Sequence, residues 1–135
     1  MSPTRPATSS RRRDERGSVS IQLVVLLPAL FAVMFLGMQA ALYYHARSVA
    51  IAAAQEGARA ASAETGTKME GIAAADDFVS TAGGDDVLTA VSVTADRTTT
   101  NVTVTVVGHS LSVIPGWSPT ITQSASLPVE RATAP

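Results

Sequence analysis

From residue 17 to residue 46 the chain carries no formal charge. Within residues 23–44 every side chain is apolar except at Pro28, Gly37 and Gln39. Wound as a helix at about 1.5 Å per residue, that run is about 33 Å long, against a bilayer hydrocarbon core of about 30 Å. A soluble helix this apolar has to be buried around its whole circumference, and a chain of 135 residues has too little left over to do that. A cleavable secretory signal has a shorter apolar region, about 7–15 residues, with a small-x-small site behind it. Met38-Gln39-Ala40 is a poor site of that kind. Arg11-Arg12-Arg13 hints at a twin-arginine signal, but Asp14 and Glu15 follow at once. The run reads as a membrane span over about residues 19–44.

The flanks give it a direction. Arg5, Arg11, Arg12, Arg13 and Arg16 outweigh Asp14 and Glu15 on one side, while acidic groups outnumber basic ones after residue 46. The positive-inside rule places the N-terminus in the cytoplasm and the C-terminal part outside the cell membrane. The formal net charge of −1 therefore averages two unlike halves. It excludes a globally basic nucleic-acid binder. The absence of cysteine excludes a disulfide framework, thiol catalysis and Cys-ligated metal sites.

Residues 1–17 read as a disordered basic leader, too polar to bury apolar area. A helix is expected from about 18 to 64, with Ser18 or Ser20 as its cap and Pro28 as a kink rather than a stop. Tyr43 and Tyr44 mark the outer headgroup level, where amphipathic rings are favoured. His45 lies at the same boundary and reads as an interfacial polar residue. Beyond it, Ala46, Ala50, Ala53, Gly57 and Ala61 fall within an arc of about 80° at helical spacing. Arg47, Gln55, Arg59 and Ser62 take roughly the opposite side, with Glu56 and Arg59 spaced for an i,i+3 surface pair. A face of small residues lets another backbone approach closely, as in small-xxx-small membrane interfaces. An alanine-rich composition alone accounts for the same stripe, and the pattern does not separate the two.

Residues 65–135 read as a small extracytoplasmic head. Thr65-Gly66-Thr67 breaks the long helix. Met69, Ile72, Ala73, Ala75, Val79 and Ala82, with Phe78 adjoining, have the spacing of a second, short helix that Gly83-Gly84 ends. From Val87 the period changes to two. Val87, Val91, Val93 and Ala95 alternate with Leu88, Ala90, Ser92 and Thr94, and Val102, Val104 and Val106 alternate with Thr103 and Thr105. Two such runs around a polar link predict an antiparallel hairpin. Ile121, Ala125, Leu127 and Val129 offer a third strand, with Pro128 confining its end to an edge. The fold class is α+β: a long transmembrane helix continuing outside the membrane, a short second helix, and a three-stranded antiparallel sheet. The head is poor in large side chains and marginal on its own, which favours assembly with a partner.

Residues that carry chemistry are scarce. His109 closes a strand without a ligand set, and Asp76-Asp77 and Asp85-Asp86 read as a solvated helix pair and a turn. Asn101-Val102-Thr103 is a glycosylation sequon, a short pattern that occurs often by chance. Trp117, between Pro115 and Pro119, reads as a loop anchor or a docking residue. No nucleotide loop, metalloprotease motif or Ca²⁺ loop occurs. The expectation is a non-enzymatic chain with no catalytic or metal residues, cofactor, small-molecule substrate or nucleic-acid partner.

Arg16-Gly17-Ser18-Val19-Ser20-Ile21-Gln22, Pro28 and the run Ala53-Ala54-Gln55-Glu56-Gly57-Ala58-Arg59-Ala60-Ala61 together resemble the TadE-like family, over about residues 14–62. These are pseudopilin-like minor components of tight-adherence (Flp-type) pilus and secretion systems. The resemblance implies a membrane-anchored structural or assembly component whose partners are membrane lipid and other apparatus subunits, reached through the long helix. It also implies prepilin-peptidase cleavage after Gly17, leaving Ser18 as the new N-terminus. Prepilin-type substrates usually have Glu at the fifth mature position, where this chain has Gln22. A processed subunit and a permanently anchored, unprocessed one both remain open. An anchored envelope-interaction module without a pilus role is the alternative from another class.

Overall fold

The computed structural model describes residues 11–132, and their side chains from residue 19. The chain divides into two compact units, Met1–Gly37 and Met38–Pro135. The element order is α1 (Arg11–Ser62), α2 (Lys68–Thr81), a single 3₁₀ turn (Gly84–Asp86), β1 (Leu88–Arg97), β2 (Asn101–Ser110) and β3 (Thr120–Pro128). This is the α+β arrangement expected from the sequence.

Helix α1 starts at Arg11, so Ser18 and Ser20 lie within it and neither caps it. Arginine and glutamate are good helix formers, and no proline interrupts residues 11–27. The part of the expected leader before Arg11 lies outside the described residues. Pro28 sits inside α1, where its missing N–H leaves the carbonyl of Val24 without its helical donor. In the first unit, every side chain from Val19 to the unit's end is exposed.

The second unit holds the core. Strands β1, β2 and β3 form one antiparallel sheet in sequential order, with Val104 opposite both Ala95 and Ala125. Alternation along β2 buries Val102, Val104 and Val106 completely, and Ile121 of β3 joins them. The other face is a hydroxyl ladder: Thr105 and Ser124 are 2.7 Å apart, and Thr103 donates to Ser126 at 3.2 Å. Pro128 ends β3, which is an edge strand, so its missing N–H breaks no interior ladder.

Strand β1 corrects the sequence reading at one residue. Strict alternation groups Leu88 with Ala90, Ser92 and Thr94 on the outer face. Leu88 is instead fully buried, while those three are exposed. The register slips between Thr89 and Ser92, and Ala90 takes a positive φ of 49°. A β-bulge inserts an unpaired residue and reverses the side-chain phase behind it. Leu88 thereby lands over Gly108, where an added Cβ would lie 2.7 Å from Leu88 Cγ.

Helix α2 opens on a capping box that the helix-breaking reading of Thr65-Gly66-Thr67 passed over. Glu70 N–H donates to Thr67 Oγ1, and Thr67 N–H donates to Glu70 Oε2 at 2.8 Å. Its inner face is Gly71, Ala75 and Val79. Met69, assigned to that face by spacing, is exposed, because the contact is centred on the glycine.

Candidate functional site

Two surfaces among the described residues bear on function: an apolar helical segment and a face of small side chains. Among the described residues, one helical stretch, Val19–Ser62, is long and apolar enough to cross a membrane. Its apolar half is not covered by protein. Leu23, Val24, Leu30, Phe31, Val33, Phe35 and Leu36 are all exposed. That exposure in water would be a severe liability; in lipid it is the expected state. The apolar helix suggests a single-pass membrane anchor.

The small face lies in the second unit, and the structure shows what covers it. Ala46, Ala50, Ala53 and Ala61 are completely buried and Gly57 is buried with them, against this chain's own sheet and α2. A Cβ added at Gly57 would lie 2.6 Å from the Gly71 carbonyl oxygen and 3.0 Å from Val104 Cγ1. One added at Gly71 would lie 2.7 Å from Ala61 Cβ. The two helices therefore meet backbone to backbone, and β2 closes over the crossing. The stripe is wider than its sequence arc: Val49, Ala54 and Ala58 are buried too. Ser62, assigned to the polar side, is 3% exposed and donates to Arg59 O at 3.0 Å.

At and just beyond the end of α1, carbonyls find partners in β1 and in the segment after β3. Arg97 donates from Nε to Ala61 O at 2.9 Å and from Nη2 to Ala63 O at 3.2 Å, and Glu130 N–H donates to Ser62 O at 2.8 Å. A guanidinium at a helix C-terminus satisfies orphan carbonyls and faces the negative end of the dipole. On the polar side Glu56 and Arg59 stand 3.4 Å apart, both well exposed. A pair so placed contributes at most about 1 kcal/mol.

Gln39 has a role that sequence reasoning missed. It is 4% exposed. Its Oε1 accepts from Val113 N–H at 2.9 Å and from Ser112 Oγ at 3.0 Å, and its Nε2 donates to Leu111 O at 3.4 Å. The connection between β2 and β3 is thus tied to α1 at one residue. The available signal was chemical: an amide in an apolar run needs partners. Of the proposed processing residues, Gly17 and Ser18 lie in the helical backbone of α1 and Gln22 is exposed.

His45 is exposed, and His109 Nδ1 lies 3.2 Å from Thr120 Oγ1. No group of three His, Cys, Asp or Glu residues is placed to hold a metal ion among the described residues.

The model of the TadE-like protein family matches residues 17–59. The match begins at the glycine of the proposed processing site and ends at Arg59, within α1, so it covers the apolar segment and most of the small face but none of the sheet. Neither the curated proteins nor the solved structures contain a match.

Proposed function

We propose that this chain is a non-enzymatic structural or assembly component of a Tad/Flp-type pilus or secretion apparatus. A single helix anchors it in the cytoplasmic membrane, with its N-terminus inside and its head outside. The observation that carries this reading is one coincidence: the helix matched by the family is the helix whose apolar side chains the protein leaves uncovered. The arginine cluster before the span supports the orientation.

The buried small face bears on how such a component would meet its partners. Because residues 46–61 pack on the chain's own sheet and α2, a neighbouring subunit could use that face only by displacing them. Association through the long helix is therefore assigned to the apolar segment, and the polar side carrying Glu56 and Arg59 remains open to partners. Cleavage between Gly17 and Ser18 belongs to the same proposal.

Orientation has a direct test because the chain contains no cysteine. Ser126→Cys, on the hydroxyl face, should react with a membrane-impermeant maleimide in intact cells without permeabilisation, whereas a head on the cytoplasmic side would react only after it. That second pattern defeats the topology. Intact-mass measurement on membrane-extracted protein should give a chain starting at Ser18; one starting at Met1 removes the processing claim. For the apparatus itself, crosslinking in cells should recover pilus or secretion subunits, and deletion of the chain should impair piliation. A deletion strain with normal pili and no crosslinked apparatus subunit would defeat the pilus role.

A further inference from the structure

The sheet of the second unit has two unlike edges. Val129 N–H donates to Thr100 O at 2.8 Å and Ser110 N–H to Pro119 O at 3.0 Å, and both pairs continue the β2–β3 register. Bonded and non-bonded pairs alternate in an antiparallel ladder, so Ile121, Gln123, Ala125 and Leu127 turn their backbone groups to β2. Thr122, Ser124 and Ser126 turn theirs outward, where no bond reaches them among the described residues. Thr98 N–H donates to Asn101 O at 2.8 Å, and the same alternation turns Val93, Ala95 and Arg97 outward on β1. Edge strands are blunted by charges, proline or bulges. Strand β1 has its bulge and the charges of Asp96 and Arg97. Strand β3 pairs without a break, carries no formal charge and has proline only at its last residue.

Beside β3, Gln55 and Arg59 of α1 and residues 124–127 line a groove. Glu56, 3.4 Å from Arg59, lines a different groove with Asp77 and Phe78. A strand added to β3 therefore brings whatever packs on it towards a guanidinium. A second copy entering through its own β3 would set one Arg59 against another, and like charges across an interface oppose it. Entering through β1, it brings α2 instead, which packs on β1 and carries Glu70, Asp76 and Asp77 against Lys68 alone.

We propose that β3 of one copy pairs in parallel with β1 of a second copy of this chain, head to tail. Both strands are antiparallel to β2 and so run the same way. A copy displaced sideways, without rotation, sets its β1 beside β3. Thr94 and Ser124 both oppose Thr105. Without shear, Ser124 then lies beside the second copy's Thr94 and bonds to its Val93 and Ala95, whose backbone groups point outward. The hydroxyl face continues across the junction. Each added copy leaves a free β3 at one end and a free β1 at the other, so the contact repeats as a row instead of closing as a pair. This contact involves the second unit alone and does not depend on the pilus reading.

The absence of native cysteine makes the pairing testable by disulfide trapping. Full-length Thr94→Cys and Ser124→Cys chains carrying different tags are co-expressed, and their membranes are oxidised with copper phenanthroline. Between copies the two positions stand one strand spacing apart, about 4.8 Å, which is within disulfide reach. The expected product is a dimer carrying both tags, with none from either variant expressed alone. Adding Ser126→Pro to the Ser124→Cys chain should abolish that dimer while the head stays folded by circular dichroism, because the N–H it removes points away from β2. A dimer of two Ser124→Cys chains overturns the inference, since β3 would then meet β3. Absence of any disulfide also overturns it, and so does a mixed dimer that persists with Ser126→Pro.

Discussion

Gly57 and Gly71 show how far a single missing side chain determines packing here. The Gly57 Cβ position lies 2.6 Å from a backbone oxygen, and a backbone oxygen cannot swing aside as a flexible side chain can. Gly57→Leu should therefore separate α1 from α2, at a cost of about 1–3 kcal/mol or more. Thermal unfolding in detergent, followed by circular dichroism, should show the head melting at lower temperature; an unchanged melting temperature would refute the close approach. Leu88→Ala removes one of the two largest fully buried side chains among the described residues and should destabilise by about 2–5 kcal/mol in the same measurement. Arg97→Met keeps much of the stem but removes the guanidinium donor from the carbonyls of Ala61 and Ala63, of which Ala63 keeps the bond from Gly66 N–H. The expected loss is about 1.5–3 kcal/mol, the usual range for hydrogen bonds to a charged group, and more rapid amide exchange in the last turn of α1 would locate it.

At the scale of elements, α1 combines two environments in one helix. Its apolar part is exposed around the whole circumference, whereas its alanine-rich part buries one face. Val25→Arg puts a charge inside the span towards its N-terminal end and should weaken insertion by less than the cost of a charge at the helix centre, about 2.5–3.5 kcal/mol, read as a larger carbonate-soluble fraction. The same replacement should leave the fold of the second unit intact, because Val25 belongs to the first. Element positions were legible where local chemistry decides them: the apolar run, the two-residue period of β2, the Gly83-Gly84 stop. Leu88 was misassigned because the bulge at Ala90 is a backbone event without a glycine to announce it. Met69 was misassigned because helical spacing defines a periodic stripe, and the contact selects which edge of it points inward.

For the molecule as a whole, the alanine-rich helix that fitted a partner-binding surface turns out to complete the chain's own core. The expected shortage of bulky core material is met by close approach: alanines on one helix, two glycines at the crossing, and valines of β2 laid over both. A candidate surface for association is then the lipid-length segment. Gln39 escaped notice for a related reason. Its partners lie about seventy residues away in sequence, a separation that no local pattern encodes.

The sequence by itself determined the apolar helix of membrane-spanning length, the charge asymmetry on its flanks, and the order of helices and strands. Each follows from composition or periodicity along one short stretch, and hydration and backbone geometry act on such a stretch before any distant residue is involved. Only the tertiary structure decided what the small face touches, which way Leu88 points, how α1 ends and what holds Gln39. Those outcomes depend on steric fit and hydrogen bonding between segments far apart in the chain, which exist only once the backbone has brought them together.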